Sequence, residues 1–169
     1  MEPVSEESEA DAAARWLAVA RRIVDAVTFC VAATPDGQGG VSARVVQPRR
    51  VSEDWTVDTL TNRRCRKVRE VEAAGRMTLL YQHDESRGYA SLSGPTEAVE
   101  DRALKRATWT PAHDRWNRDG PDNPDTLYLR MRVDRIELWS ASEGVLPEPE
   151  GYSAAVLVRV GDGWRVDVT

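Results

Sequence analysis

The chain has 169 residues, of which 41% are hydrophobic and 30% charged, and these values suit a single globular domain with a substantial core. Its formal net charge of −5 argues against a general nucleic-acid binder, since such proteins carry a strong basic excess. The two cysteines and two histidines do not show the spacing of metal ligands, so we predict no metal site.

The N-terminal region is acidic, which is the opposite of a signal peptide, and no apolar run is long enough to span a bilayer. We therefore expect a cytoplasmic protein with no membrane association. Residues 1–10, rich in Glu and Ser, are expected to be a disordered acidic lead. A single domain is expected to occupy 11–169.

An amphipathic helix is predicted from Asp11, because Trp16, Ala20, Ile23 and Val27 recur at helical spacing. Alternating apolar residues and Gly- or Pro-rich turns predict a mainly β arrangement after it. The later elements are, in chain order, strands at 27–33, 41–47 and 55–61, a helix at 66–74, strands at 77–82 and 88–99, a helix at 101–108, an irregular segment with a short helix at 109–125, strands at 127–133 and 136–139, and a hairpin of 155–160 with 164–168. Most consecutive strands are joined by turns, which favours an antiparallel barrel.

The junction between the third strand and the following helix, residues 61–67, is the most informative segment. It places Arg63, Arg64, Arg66 and Lys67 at a helix N-terminus, where acidic residues are normally preferred. Free backbone N–H groups and the helix dipole favour an anion at this position, so a bound phosphate would explain the four cations. A solvated basic turn is the alternative interpretation.

Two further segments extend this pattern. Residues 44–49 read Arg-Val-Val-Gln-Pro-Arg, and residues 135–139 read Arg-Ile-Glu-Leu-Trp. Together with 61–67, they resemble the Arg-x-Val-x-x-Lys, Thr-Asn-x-x-Ser-Arg-Lys and Arg-Ile-Glu-Phe-Trp segments of the pyridoxine/pyridoxamine 5′-phosphate oxidase-like family of split-barrel flavoproteins. The resemblance covers about residues 15–140. The Trp-rich segment 109–124 is similar to the general-stress-protein branch of that family.

This resemblance implies an antiparallel split β-barrel with about three peripheral helices. It also implies a homodimer that binds FMN in two clefts at the subunit interface. Position by position, it implies that Arg44 and Lys67 are the principal phosphate ligands, with help from Arg66 and Arg49. Guanidinium and ammonium groups suit a phosphate on chemical grounds as well. Cys65 stands where the family has a serine, which changes a hydroxyl contact into a weaker thiol contact.

The remaining cofactor-binding residues would contact the flavin ring. The resemblance implies that backbone polar groups of four residues on two strands face the ring, namely Val45, Val46, Leu60 and Thr61. Trp139 occupies the family position that contacts the flavin from the partner subunit, although core or interface packing would also explain a Trp there. Tyr89 lies near a position where the oxidases have glutamine, although a shift of one residue would place Gly88 there instead.

One departure bears on the activity. The oxidases carry an Arg-Leu-His-Asp-Arg region after the tryptophan, whereas this chain has Ser-Ala-Ser-Glu-Gly at 140–144. The residues that would bind pyridoxal phosphate are missing, so a true vitamin B6 oxidase is disfavoured.

Three functions remain open from the sequence. The first is an FMN-dependent oxidoreductase that transfers a hydride or electrons through the flavin to a small-molecule substrate, with no catalytic side chain identified. The second is a reductase that uses the deazaflavin F420. The third is a dimer that binds a flavin, haem or no ligand and catalyses nothing, because one barrel supports many activities.

Overall fold

The computed structural model describes residues 8–147 and 151–167. Within these residues the chain forms nine strands and four α-helices. The helices are α1 (Glu9–Ala26), α2 (Arg66–Ala74), α3 (Arg102–Thr108) and α4 (Pro111–Asp114). The strands are β1 (Cys30–Pro35), β2 (Val41–Val46), β3 (Thr56–Asn62), β4 (Arg76–His83), β5 (Gly88–Val99), β6 (Thr126–Arg132), β7 (Arg135–Ser140), β8 (Ala155–Val160) and β9 (Gly163–Val166).

All strand pairs are antiparallel, and the main order is β2-β1-β4-β5-β7-β8-β9. A branch leaves this path at β5, which also pairs with β6, and β6 pairs with β3. Among the described strands, β2, β3 and β9 each pair on one side only, so the sheet does not close. The prediction of a mainly β, antiparallel split barrel is confirmed.

The long strand β5 makes the branch possible. Its first half pairs with β7 as far as Ser93, and from Thr96 it pairs with β6. Gly94 and Pro95 lie at the change of partner, where the sequence predicted a bulge or a strand edge. A Cβ atom on Gly94 would lie only 1.9 Å from the carbonyl oxygen of Arg132, so the close approach of the two strands requires a glycine.

The two faces of the sheet differ because side chains alternate along each strand. One face packs on the core with α1 and includes Leu79, Leu92 and Ile136, all fully buried. The opposite face, here called the outer face, carries a row of residues aligned across five strands. In strand order β2, β1, β4, β5 and β7, this row is Val45, Val31, Leu80, Ser91 and Glu137.

Element boundaries differ from the sequence prediction mainly around the first helix. It begins at Glu9 and not at Asp11, because the side chain of Ser8 caps it by accepting a hydrogen bond from the Asp11 N–H group (3.2 Å). The end of the expected acidic lead is therefore helical, and residues 1–7 lie outside the described residues. Val27 ends α1, so the first strand starts later, at Cys30.

The predicted boundaries of α2 and β5 agree with the structure, and α4 is the short helix expected within 109–125. With α4, the described residues contain four α-helices, in line with the expectation of about three and a further short one. No helix in the described part of the chain is both long and apolar enough to cross a membrane.

We expect Gly94→Ala to lower the free energy of unfolding by about 3 kcal/mol, because the added methyl group overlaps the Arg132 carbonyl and forces β5 and β6 apart. Urea denaturation followed by circular dichroism measures the change. Gly163→Ala is the matched control, since its Cβ would meet only the Val160 carbonyl oxygen at 3.8 Å. Equal stability of the two variants would contradict the requirement for a glycine where β5 approaches β6.

Candidate functional site

A carboxylate on α2 forms the centre of a polar cluster beside the β1–β2 hairpin. Glu70 accepts hydrogen bonds from the hydroxyls of Thr34 (2.7 Å) and Ser42 (2.8 Å) and from Nη2 of Arg44 (2.6 Å). Nε of Arg66 forms an ion pair with Oε1 of Glu70 at 3.1 Å. These five residues are called the Glu70 cluster below. The carboxylate is buried, with only 8% of the residue exposed, yet every side of it has a donor.

The hairpin register explains why these residues meet. Thr34 lies opposite Ser42, and Ala32 lies opposite Arg44, so the polar side chains of both strands point to the same face. This face of β1 packs against α2. Glu70 follows Arg66 by four residues, which places the two on the same side of the helix.

The environment of Glu70 holds it in the ionised form. The Thr34 hydrogen bond lowers its pKa most, burial opposes this effect, and the Ser42 and Arg44 contacts lower the pKa further, to about 2. The carboxylate is therefore negative throughout the neutral pH range. With Arg44 and Arg66, the cluster has a formal charge of +1.

Arg44 uses only part of its guanidinium within the protein. Nη1 donates to the Thr34 hydroxyl (2.6 Å) and to the Ala32 carbonyl (3.3 Å), while Nη2 donates to Glu70. Within the described residues, its Nε–H group and the second N–H of Nη2 have no partner. Since the side chain is 22% exposed, these two free N–H groups can both donate to one bound oxyanion.

The first turn of α2 adds further groups that suit an anion. Cys65 is the N-cap residue, and its side chain makes no capping hydrogen bond. Lys67 is half-buried, and its ammonium has no hydrogen bond or ion pair with the part of the chain that the structure describes. A half-buried cation beside free helix N–H groups favours a negatively charged ligand.

Cys65 is also the more acidic of the two thiols. Burial opposes its ionisation, but contacts with Thr61 and Asn62 and the charges of Lys67 and Arg69 outweigh burial and lower its pKa. Burial raises the pKa of Cys30 to about 12. Neither thiol is in a disulfide.

Arg49 lies apart from these residues. Its exposed side chain lines a groove with Asp58, Asp101 and Arg130, and no member of the Glu70 cluster lines that groove. Its backbone N–H donates to the Asp58 carbonyl (2.8 Å), which holds the segment after β2 beside β3. The structure thus brings Arg44 and Arg66 together and places Lys67 next to them on the helix, but it does not bring in Arg49.

The four residues predicted to offer backbone groups lie on strands with one unpaired side. Val45 and Val46 are on β2, and Leu60 and Thr61 are on β3; among the described strands, β2 pairs with β1 alone and β3 with β6 alone. Within the described residues β2 therefore keeps an open row of backbone donors and acceptors. On β3 the carbonyls of Thr56 and Asp58 already accept hydrogen bonds from the Ser52 and Arg49 N–H groups, so only the later part of its edge, around Leu60, stays open. The side chain of Val45 points to the outer face and is 69% exposed, while Val46 is buried.

Tyr89 and Trp139 face each other across β5 and β7 on the outer face. They line a cavity of about 700 Å³. The Trp139 indole N–H donates to the Gly151 carbonyl (2.6 Å), which fixes the ring orientation. The other lining residues are both apolar and charged, and include Leu80, Gln82, His83, Asp84, Arg87, Ser91 and Glu137.

Within the single chain, the cavity and the Glu70 cluster lie apart. Arg44 is on β2 and Trp139 is on β7, four strands away, which corresponds to about 19 Å across the sheet. The two side chains also lie on opposite faces, because Arg44 points towards α2 and Trp139 towards the outer face. The predicted site residues thus form two separate groups within one chain.

Sequence reasoning missed Glu70, which the structure places at the centre of the basic residues. The four-residue spacing from Arg66 was a visible signal for an ion pair. Ser42 and Arg44 are two residues apart on one strand and therefore share a face, which was a second signal for a polar cluster. Neither showed that a hairpin and a helix would meet at one carboxylate, because that contact joins residues 26 to 36 positions apart.

A model of the family described as pyridoxamine 5′-phosphate oxidase like matches residues 18–156, most of the chain. The chain belongs to this family. The resemblance found in the sequence is therefore confirmed. Comparison with curated proteins gives no match.

Several solved structures share the fold of this family member. General stress protein 26 from Bacillus anthracis is 19% identical with a TM-score of 0.61, over 70% of this chain and 89% of that chain. PhzG from Burkholderia lata, in complex with tetrahydrophenazine-1-carboxylic acid, is 20% identical with a TM-score of 0.66, over 99% and 96%. A general stress FMN/FAD binding protein from Xanthomonas citri is 20% identical with a TM-score of 0.56, over 67% and 80%.

We expect iodoacetamide at pH 7.5 to label Cys65 well before Cys30, because the thiolate is the reactive form and only the pKa of Cys65 is lowered. Mass spectrometry of tryptic peptides measures the two rates. Lys67→Gln should slow the labelling of Cys65 severalfold, since it removes a charge that stabilises the thiolate. Faster labelling of Cys30 would contradict the prediction.

Proposed function

We propose that this protein is a flavin-binding oxidoreductase that binds FMN between two copies of the chain and passes a hydride or electrons to a small-molecule substrate. The observation that carries the proposal is Lys67 at the start of α2, a half-buried residue next to the basic Glu70 cluster whose ammonium has no partner among the described residues. Membership of the pyridoxamine 5′-phosphate oxidase-like family supports a flavin. The similar Xanthomonas citri protein, which is described as FMN/FAD binding, also supports a flavin.

The residues present fit such a cofactor. Lys67, the free donors of Arg44 and the N–H groups of the first turn of α2 would hold a terminal phosphate. Among the described residues, the unpaired backbone edge of β2 and the part of the β3 edge around Leu60 would offer hydrogen bonds to the polar edge of a flavin ring. FMN itself would supply the redox chemistry, and the chain would bind it, orient it and exclude water.

A second copy of the chain is needed to complete this site. The phosphate-binding residues and the Tyr89–Trp139 cavity lie on opposite faces of one sheet, so a flavin held by the first group would reach the cavity of a partner. Val41 and Val45 on the outer face are 70% and 69% exposed, and they form an apolar surface that a partner would cover. We therefore propose a homodimer with the cofactor at its interface.

The substrate is proposed to differ from pyridoxal phosphate, because residues 140–144 lack the basic residues of the oxidases. We place the protein in the cytoplasm, in keeping with its lack of paired cysteines. Mass spectrometry of the ligand released from native protein tests the choice of cofactor. FMN is expected, and a deazaflavin or haem would replace this proposal with one of its alternatives.

Lys67→Ala should weaken FMN binding at least tenfold and leave riboflavin binding within twofold, because riboflavin lacks the phosphate. Quenching of flavin fluorescence gives both dissociation constants. Arg165→Ala is the control, since it removes an exposed positive charge on β9, at the opposite edge of the sheet from β2. Normal FMN affinity in Lys67→Ala would refute the proposed phosphate site.

Val45→Glu should convert a dimer into monomers and reduce FMN binding, because it places a charge in the middle of the proposed apolar interface. Sedimentation equilibrium would give twice the 18.9 kDa chain mass for the wild type and that mass for the variant. Val160→Glu is the control, as Val160 is also exposed (57%) but lies at the distant β8–β9 turn. A monomeric wild type would rule out the shared cleft.

A further inference from the structure

We propose that Glu70 lowers the affinity of this site for a phosphate dianion, so that FMN is an exchangeable ligand and not a permanently bound one. The inference rests on the proposed FMN site and concerns how strongly that site holds its ligand. Its basis is the position of a buried carboxylate among the cations that would bind the phosphate.

Glu70 remains in place when a ligand binds. Its two oxygens contact the hydroxyls of Thr34 and Ser42 and the cationic groups of Arg44 and Arg66. If the carboxylate were displaced, all four groups would lose a partner, and three of them belong to buried or half-buried side chains. The hydrogen bonds from Thr34, Ser42 and Arg44 also favour its ionised form, so the carboxylate stays negatively charged.

An incoming phosphate would share Arg44 with this carboxylate. One edge of the guanidinium is used by Thr34 and Glu70, which leaves the Nε–H and second Nη2–H donors for a ligand. An oxygen bound there would lie about 5 Å from the Glu70 oxygen on the same Nη2, since that oxygen is 2.6 Å from the nitrogen and the ligand oxygen would be about 2.9 Å from it, on the other N–H. Two negative groups at this separation repel each other.

The repulsion depends on the charge of the ligand. Arg44, Arg66 and Lys67 together carry +3, and Glu70 lowers this to +2. A phosphate dianion is repelled twice as strongly as a monoanion, and a neutral flavin such as riboflavin is not repelled at all. Glu70 therefore selects among flavins by their terminal charge, which a purely structural role would not do.

The test compares Glu70→Gln with wild type and with Glu72→Gln. Gln keeps the size of the side chain and removes the charge, and its one carbonyl oxygen can still accept from the Arg44 and Thr34 groups that now contact Oε2. Glu72 is exposed on the same helix, and a two-residue step places it on the opposite side of α2. It therefore controls for the loss of one negative charge from the molecule.

We expect Glu70→Gln to lower the dissociation constant for FMN at least tenfold at low ionic strength and to slow FMN release in stopped-flow displacement. The constants for riboflavin in all three proteins, and for FMN in Glu72→Gln, should stay within twofold of wild type. Unchanged or weaker FMN binding by Glu70→Gln would overturn the inference, because Glu70 would then serve only to orient Arg44. If Glu70→Gln does not fold, Glu70→Ala is tested against the same expectations.

A further measurement separates this inference from the proposed function. If the wild type binds neither flavin, the proposed function fails, and inorganic phosphate becomes the probe. Phosphate should then raise the melting temperature of Glu70→Gln more than that of wild type or Glu72→Gln. Equal shifts in the three proteins would refute the role of Glu70 independently of any flavin.

Discussion

The contact between Glu70 and Arg44 determines the arrangement of the candidate site. It ties helix α2 to the β1–β2 hairpin through a buried, fully hydrogen-bonded carboxylate. Because Arg44 is held at one edge, its other donors have a fixed direction, and because Arg66 joins the same carboxylate, the helix N-terminus stays beside the hairpin. A polar contact of this kind contributes through geometry more than through net stability, since burial of the charges opposes their attraction.

The open sheet has a second consequence. A closed barrel would leave no unpaired strand edges, whereas among the described residues β2 and the later part of β3 keep free backbone edges near the basic residues. The outer face carries both exposed valines and the Tyr89–Trp139 cavity. The same face therefore offers an apolar contact surface and a ligand-sized recess, and this combination is the reason for proposing that two copies of the chain build each site.

Local pattern was sufficient for most of the secondary structure. The boundaries of α2 and β5 agree with the prediction because both elements have short-range signals. For α2 these are the helical spacing and the cations at 63–67, and for β5 the Gly94-Pro95 pair that marks its change of partner. The start of α1 was missed by two residues, since Ser8 acts as a cap within a segment whose composition suggests disorder. Three ordered motifs also led to the correct family, because each depends on the order of residues along the chain and not on contacts in space.

By itself, then, the sequence determined the strand-rich architecture, the family and the candidate ligands, since these follow from periodicity and motif spacing. Only the tertiary structure decided that Arg44 and Arg66 share a carboxylate, that Arg49 lies in another groove, and that Trp139 lies on the face opposite Arg44. The physical reason is that side-chain pairing depends on which distant segments pack together and on which face of a strand each residue occupies. Neither is encoded in local spacing alone.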